Sequence, residues 1–69
     1  MSLPITLNGQ PRDVAGPART TLAEVVALTG ASGGVAVAVN GAVVPRSGWD
    51  ATRVEAGDVV EVVTAVQGG

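Results

Sequence analysis

Leu3-Pro4-Ile5-Thr6-Leu7 alternates apolar and polar positions with period two, and Asn8-Gly9 follows at once. This alternation predicts a strand with one buried face. Asn-Gly suits the positive φ values of a two-residue type I′ turn, so a second strand returns through Gln10 to Val14. Pro11 has no N–H to give to a ladder, which places that second strand at a sheet edge. Ala15 to Arg19, with Gly16 and Pro17, reads as a loop. The period then changes. Leu22, Val25, Val26 and Thr29 recur at helical spacing with Leu28 beside them, giving one apolar helical face. Thr21 with Glu24 three residues later forms a capping box at the start, and Gly30 suits the left-handed stop.

After the small-residue loop Ala31 to Gly34, Val35-Ala36-Val37-Ala38-Val39 predicts a strand with valines on one face and alanines on the other. Asn40-Gly41 repeats the hairpin signal, and Ala42-Val43-Val44 returns until Pro45. Ser47 to Thr52 reads as irregular, turning once around Trp49. A last strand runs from about Asp58 to Val66, introduced by the Ala56-Gly57 turn. Valines on both of its faces (Val59 with Val60, Val62 with Val63) suit a strand in the sheet interior. The order ββαββ plus a final strand is α+β. It is that of a β-grasp: a mixed sheet of about five strands with one helix packed across it. Residues 1–66 form this domain, and 67–69 remain as a free tail.

Composition then narrows the chemistry. The chain has 69 residues with no Cys, no His and no Lys. A domain of this size has room for one core and no deep substrate pocket. Disulfides, thiolate nucleophiles and zinc–thiolate sites are excluded, as are imidazole bases and Schiff-base lysines. Trp49 is the one large aromatic, so valine and alanine are expected to supply most of the core and Trp49 to plug its end. The net charge of −2 argues against nucleic-acid binding, which needs a basic stripe. No apolar run approaches the roughly 20 residues of a membrane span, and no signal peptide is visible, so a cytoplasmic location is expected. No two side chains have a spacing that commits them to one catalytic site, so the chain reads as no enzyme, with no cofactor and no metal.

The remaining candidate is the terminal Gly68-Gly69, preceded by Val66 and Gln67. A terminal Gly-Gly arises by chance about once in two hundred sequences at ordinary glycine usage of ~7%. Together with the element order it is specific. Val37-Ala38-Val39-Asn40-Gly41, then Val44-Pro45-Arg46 and Trp49, then Gly57-Asp58 before an apolar strand and Gly68-Gly69 at the end resemble the sulfur carriers of thiamine biosynthesis. Those are ubiquitin-like β-grasp proteins, and the similarity extends over essentially the whole chain. Pro4, Pro11 and Pro17 depart from the pattern and put local pairing around the first hairpin in question.

The resemblance implies a carrier function. An E1-like adenylyltransferase would activate the Gly69 carboxylate, and a sulfur donor such as a cysteine desulfurase would convert it to a thiocarboxylate. Thiazole synthase would then take the sulfur. Gly68 would supply freedom to thread a narrow channel, since glycine lacks Cβ. Three extended residues at roughly 3.3–3.6 Å each reach about 10 Å. Val66, Gln67 and Arg46 are candidate partner contacts, although Arg46 is equally explained as a solvated residue after a turn. Asp58 and Glu61 could steer the tail toward a basic enzyme surface or could be ordinary solvated charges. One helix covers only one sheet face, so the other is expected to leave a valine patch open for partner docking. The free protein is expected to be a monomer. Two alternatives stay open: a carrier of the molybdopterin-synthase small-subunit type, and a non-catalytic β-grasp interaction module with an idle tail.

Overall fold

In the computed structural model, which describes residues 2–15, 20–30 and 34–64, the first two strands are β1 (Ser2–Leu7) and β2 (Gln10–Ala15). A short β3 (Thr20–Thr21) leads into α1 (Leu22–Leu28). Then follow β4 (Val35–Val39), β5 (Ala42–Val43), a 3-10 helix (Arg46–Ala51), β6 (Arg53–Val54) and β7 (Val59–Thr64). Five strands make one mixed sheet in the order β2-β1-β7-β4-β5. β1 and β7 run parallel, and the other neighbours run antiparallel. The expected β-grasp is therefore present, with the valine-rich last strand at the centre of the sheet and β2 at its edge. The loops expected around 16–19, with Pro17, and around 31–33 lie outside the described residues, as does the end of the last strand beyond Thr64.

Both Asn-Gly turns form as expected. Asn8 (φ 53°) and Gly9 (φ 80°) join β1 to β2, and Asn40 (φ 51°) and Gly41 (φ 85°) join β4 to β5. Asparagine tolerates the left-handed region better than other side chains because its short amide can hydrogen-bond locally. Here those amides also reach the central strand. Asn8 donates its backbone N–H to the Val60 carbonyl (2.9 Å), and its Oδ1 accepts from Val62 N–H (2.8 Å). On the other side Asn40 donates its N–H to the Val59 carbonyl (2.7 Å), while its Oδ1 accepts from Val59 N–H (2.9 Å). The two turns thus extend both ladders of β7 by one side-chain rung each.

The register explains two of the prolines. Thr6 donates to the Asp58 carbonyl, so residue 6, and with it residue 4, directs its backbone groups toward β7. The ladder between β1 and β7 begins at Thr6↔Val59, so the missing N–H of Pro4 falls before any partner strand. The Pro4 carbonyl is still used, accepting from Gly57 N–H at 2.8 Å. Pro11 lies opposite Thr6, and its nitrogen faces away from β1 at the free edge of β2. Neither proline removes a sheet hydrogen bond.

α1 starts with the expected capping box. Thr21 Oγ1 accepts from Glu24 N–H (3.3 Å), and Glu24 Oε1 accepts from Thr21 N–H (3.4 Å). The helix ends at Thr29, and Gly30 takes φ 73°. Leu22, Val25 and Val26 are buried against Leu3, Ile5 and Leu7 of β1 and Val37, Val60 and Val62 of the inner strands. Valine dominates this core, with Val14 and Val54 completing it. Alanine contributes less than expected: Ala23 packs against the core, but Ala36 is exposed and Ala38 half-buried on the far face of the sheet. Each aliphatic side chain fully buried here is worth about 1.5–3 kcal/mol.

No sequence signal predicts the pairing of β3 with β6. Thr20 lies opposite Val54 and Thr21 opposite Arg53, and Leu22 N–H donates to the Thr52 carbonyl at 2.8 Å. Two residues carry no periodicity, so only the tertiary fold reveals them. Asn8→Gly keeps the positive φ but deletes the rung to Val62. It should cost about 1–2 kcal/mol, read as a lower denaturation midpoint with an unchanged m-value. An unchanged midpoint would show that water replaces the side-chain rung at no cost.

Candidate functional site

β7 is the described element that precedes the candidate site, Gly68-Gly69, in the sequence. Thr64 ends the described part of the strand and pairs with Val35 at the beginning of β4. Val66, Gln67, Gly68 and Gly69 lie outside the described residues, so the boundary between domain and tail at 66/67 lies there too. Arg46 is described. Val44 N–H donates to the Val37 carbonyl (2.9 Å), which makes Val44 level with Val37 and, across β4, with Val62. Arg46 follows shortly after and so opens the 3-10 helix at the end of the sheet where Thr64 lies.

Arg46 is exposed, with its guanidinium carbon 5.9 Å from the centroid of the Trp49 ring. An exposed cation–π contact of this length contributes about 0.5–1 kcal/mol. Trp49 itself is buried and donates its indole N–H to the Val44 carbonyl at 2.9 Å. The Val-Pro-Arg-x-x-Trp segment is thus first a structural unit. The tryptophan closes the core, its hydrogen bond holds the chain after β5, and Arg46 rests on its ring.

Asp58 and Glu61 separate into different roles. Asp58 Oδ2 accepts from Glu55 N–H (2.9 Å), and its Oδ1 accepts from Asn40 Nδ2 (3.1 Å). It ties the turn at Gly57 to the Asn40 turn and is a structural residue. Glu61 is exposed on the sheet face away from α1, opposite Ala38. That face also carries Val59, Val63 and Val43, which are 41%, 59% and 75% exposed, so the expected valine patch is present. Ala36, Ala38, Val43, Glu61 and Val63 line a shallow hollow in it.

The described arginines share one side of the molecule. Arg12 pairs with Ile5 and shares its helix-side face, and Arg46 and Arg53 belong to the layer that packs with α1. Among the described residues, Asp13, opposite Pro4, and Glu61 are the charged side chains of the outer sheet face. No group of three or more His, Cys, Asp or Glu that could hold a metal ion occurs among the described residues, and no described helix is long and apolar enough to cross a membrane.

Such a domain, with a central strand parallel to the first, one helix over the face opposite the valine patch and Gly68-Gly69 following in the sequence, is a ubiquitin-like β-grasp protein. The ThiS family model matches residues 5–69, and the chain belongs to that family of sulfur carriers. The chain is similar to the crystal structure of a thiamine biosynthesis protein (ThiS) from Geobacter metallireducens, with TM-score 0.83 and 33% identity over 97% of this chain and 100% of that one. A solution structure of a thiamine biosynthesis protein from the same organism matches with TM-score 0.79 and 33% identity, over 97% of this chain and 88% of that one. No curated protein matches the sequence.

If Trp49 is structural first, Trp49→Ala should cost about 3–5 kcal/mol, enough to leave much of this small domain unfolded in thermal melts. Arg46→Ala should move stability by less than about 1 kcal/mol. A large loss from Arg46→Ala would instead make the arginine part of the core's support.

Proposed function

We propose that this chain is the sulfur carrier of thiamine biosynthesis and that Gly69 carries the sulfur as a thiocarboxylate. The observation that supports this most is the family match running through Gly69 on a fold whose central strand leads toward that residue. A free α-carboxyl has a pKa of about 3.3–3.7, so at neutral pH it is an anion and a poor electrophile. An E1-like adenylyltransferase supplies the activation. A Gly69 carboxylate oxygen attacks the α-phosphorus of ATP, pyrophosphate leaves, and an acyl adenylate forms. Sulfide sulfur then attacks the carbonyl carbon and AMP leaves. A protein persulfide, drawn from a cysteine desulfurase, reaches the same product when a thiol reduces the acyl disulfide it first forms. Thiazole synthase takes the sulfur from the resulting thiocarboxylate.

In this reading the chain is a protein cosubstrate and not an enzyme. Gly68 lets the tail enter a narrow channel, and Val66, Gln67 and Arg46 contact the partner at its mouth. Arg46 lies at the end of the sheet toward which β7 runs, which favours a docking role beside its packing one. The outer-face patch of Val43, Val59 and Val63 offers apolar area that a partner would cover.

The test is intact-protein mass spectrometry after incubation with ATP, the activating enzyme and sulfide. The expected result is a mass gain equal to exchanging one oxygen for sulfur, absent when Gly69 is deleted. No gain with an enzyme active on its own carrier would turn the reading to an interaction module. Transfer to thiazole synthase, and not to a molybdopterin precursor, separates the two carrier pathways. Val63→Asp places a charge in the apolar patch without touching the core. It should weaken binding of the activating enzyme about tenfold or more, with the thermal midpoint nearly unchanged, as measured by titration calorimetry. Unchanged affinity would remove the patch from the interface.

A further inference from the structure

The two ladders of β7 end at different places. Residues 58, 60 and 62 direct their backbone groups toward β1: the carbonyls of Asp58 and Val60 accept from Thr6 and Asn8, and Val62 N–H donates to Asn8 Oδ1. Residues 59, 61 and 63 face β4, where Val59 exchanges hydrogen bonds with Asn40, Glu61 lies opposite Ala38 and Val63 opposite Ala36. Backbone groups alternate sides along a strand, so those of Thr64 again face the β1 side. There β1 has already turned away at Asn8-Gly9. Its last ladder partner on β7 is Val60, and the Asn8 side chain occupies one further rung.

The Val62 carbonyl, the Thr64 N–H and the Thr64 carbonyl therefore form, among the described residues, a short open edge in the middle of the sheet. Among the described residues no strand pairs with them on that side, whereas β4 covers the opposite side as far as Thr64. An alternating acceptor, donor and acceptor at strand spacing is complementary to the backbone of another extended segment. Such an edge is too short to template sheet growth between copies of this chain. It is nevertheless long enough for two or three hydrogen bonds, and it adjoins the residues that lead to Gly69.

We infer that this edge receives an extended strand of the enzyme that activates the tail, which pairs with Val62 and Thr64 and aligns the following residues with the active site. The inference rests on the carrier reading above and adds to it a backbone docking register. Side chains of the incoming strand would alternate between the Val62 side and the Val63 side of the sheet, so both faces of that strand favour apolar residues near these positions.

Residue-resolved amide hydrogen exchange on the intact carrier, alone and with saturating activating enzyme, tests it. The Glu61 and Val63 amides, which face β4, should be protected in both states. The Thr64 amide should exchange quickly in the free carrier and at least tenfold more slowly in the complex. Thr64→Pro, which removes the backbone donor on the open side and spares the ladder bonds to β4, should raise KM for activation about two- to tenfold, with kcat and the melting temperature nearly unchanged. A Thr64 amide that is protected in the free carrier, or that stays unprotected in a complex producing thiocarboxylate, overturns the strand addition while the carrier reading stands. Absence of binding and of thiocarboxylate overturns both. Should Thr64→Pro fail to fold, the exchange of the unaltered chain decides the question by itself.

Discussion

The strand that is made last holds the sheet together. β7 lies between β1 and β4, and no other described element joins the two hairpins within the five-stranded sheet. Its hold on each side is extended by one asparagine amide: Asn8 reaches Val62 across a sequence separation of 54, and Asn40 reaches Val59 across 19. Hydrogen bonds of this kind contribute about 1 kcal/mol net, but leaving the strand's donors buried and unpaired would cost more. The same two residues also set the hairpin turns. Local turn chemistry and long-range assembly thus depend on one pair of side chains, and Asp58 couples them further by binding Asn40.

A carrier of activated sulfur has to combine a stable body with an end that partners can take up. In the proposed cycle the reactive end follows the central strand in the sequence, which couples the two directly in so short a chain. The body is closed on the helix side by Leu22, Val25, Val26 and Trp49, which join the inner sheet face in one core. The outer face is left apolar and slightly acidic, with the described arginines on the helix-side layer. One side of the sheet thus contributes stability and the other remains available for recognition. Each partner of the proposed cycle would meet the same surface and the same end.

Much of this is legible in the chain. Asn8-Gly9 and Asn40-Gly41 announce both hairpins, because few residues adopt positive φ in succession. Thr21, Glu24 and Gly30 mark the helix at both ends, and the valines on both faces of residues 59–63 place that strand inside the sheet. Gly68-Gly69 points to the proposed chemistry because a chain without Cys, His or Lys has few other reactive groups. These are signals of composition and short period, carried by neighbouring residues whose preferences do not depend on the rest of the molecule.

Relations between distant residues appear only in the folded chain. The parallel register of β1 with β7 makes Pro4 harmless and leaves Thr64 without a strand partner on the β1 side among the described residues, and no local pattern encodes such a register. The pairing of Thr20 and Thr21 with Val54 and Arg53 is too short to produce a period. Asp58 reads as a surface charge in the sequence, yet its carboxylate bridges Glu55 and Asn40. Backbone sterics and hydrophobic periodicity act within a few residues, so the chain alone specifies which segments extend, which coil and where they turn. Which backbone groups find partners, and which are left to offer themselves to another protein, is settled when strands far apart in the chain meet.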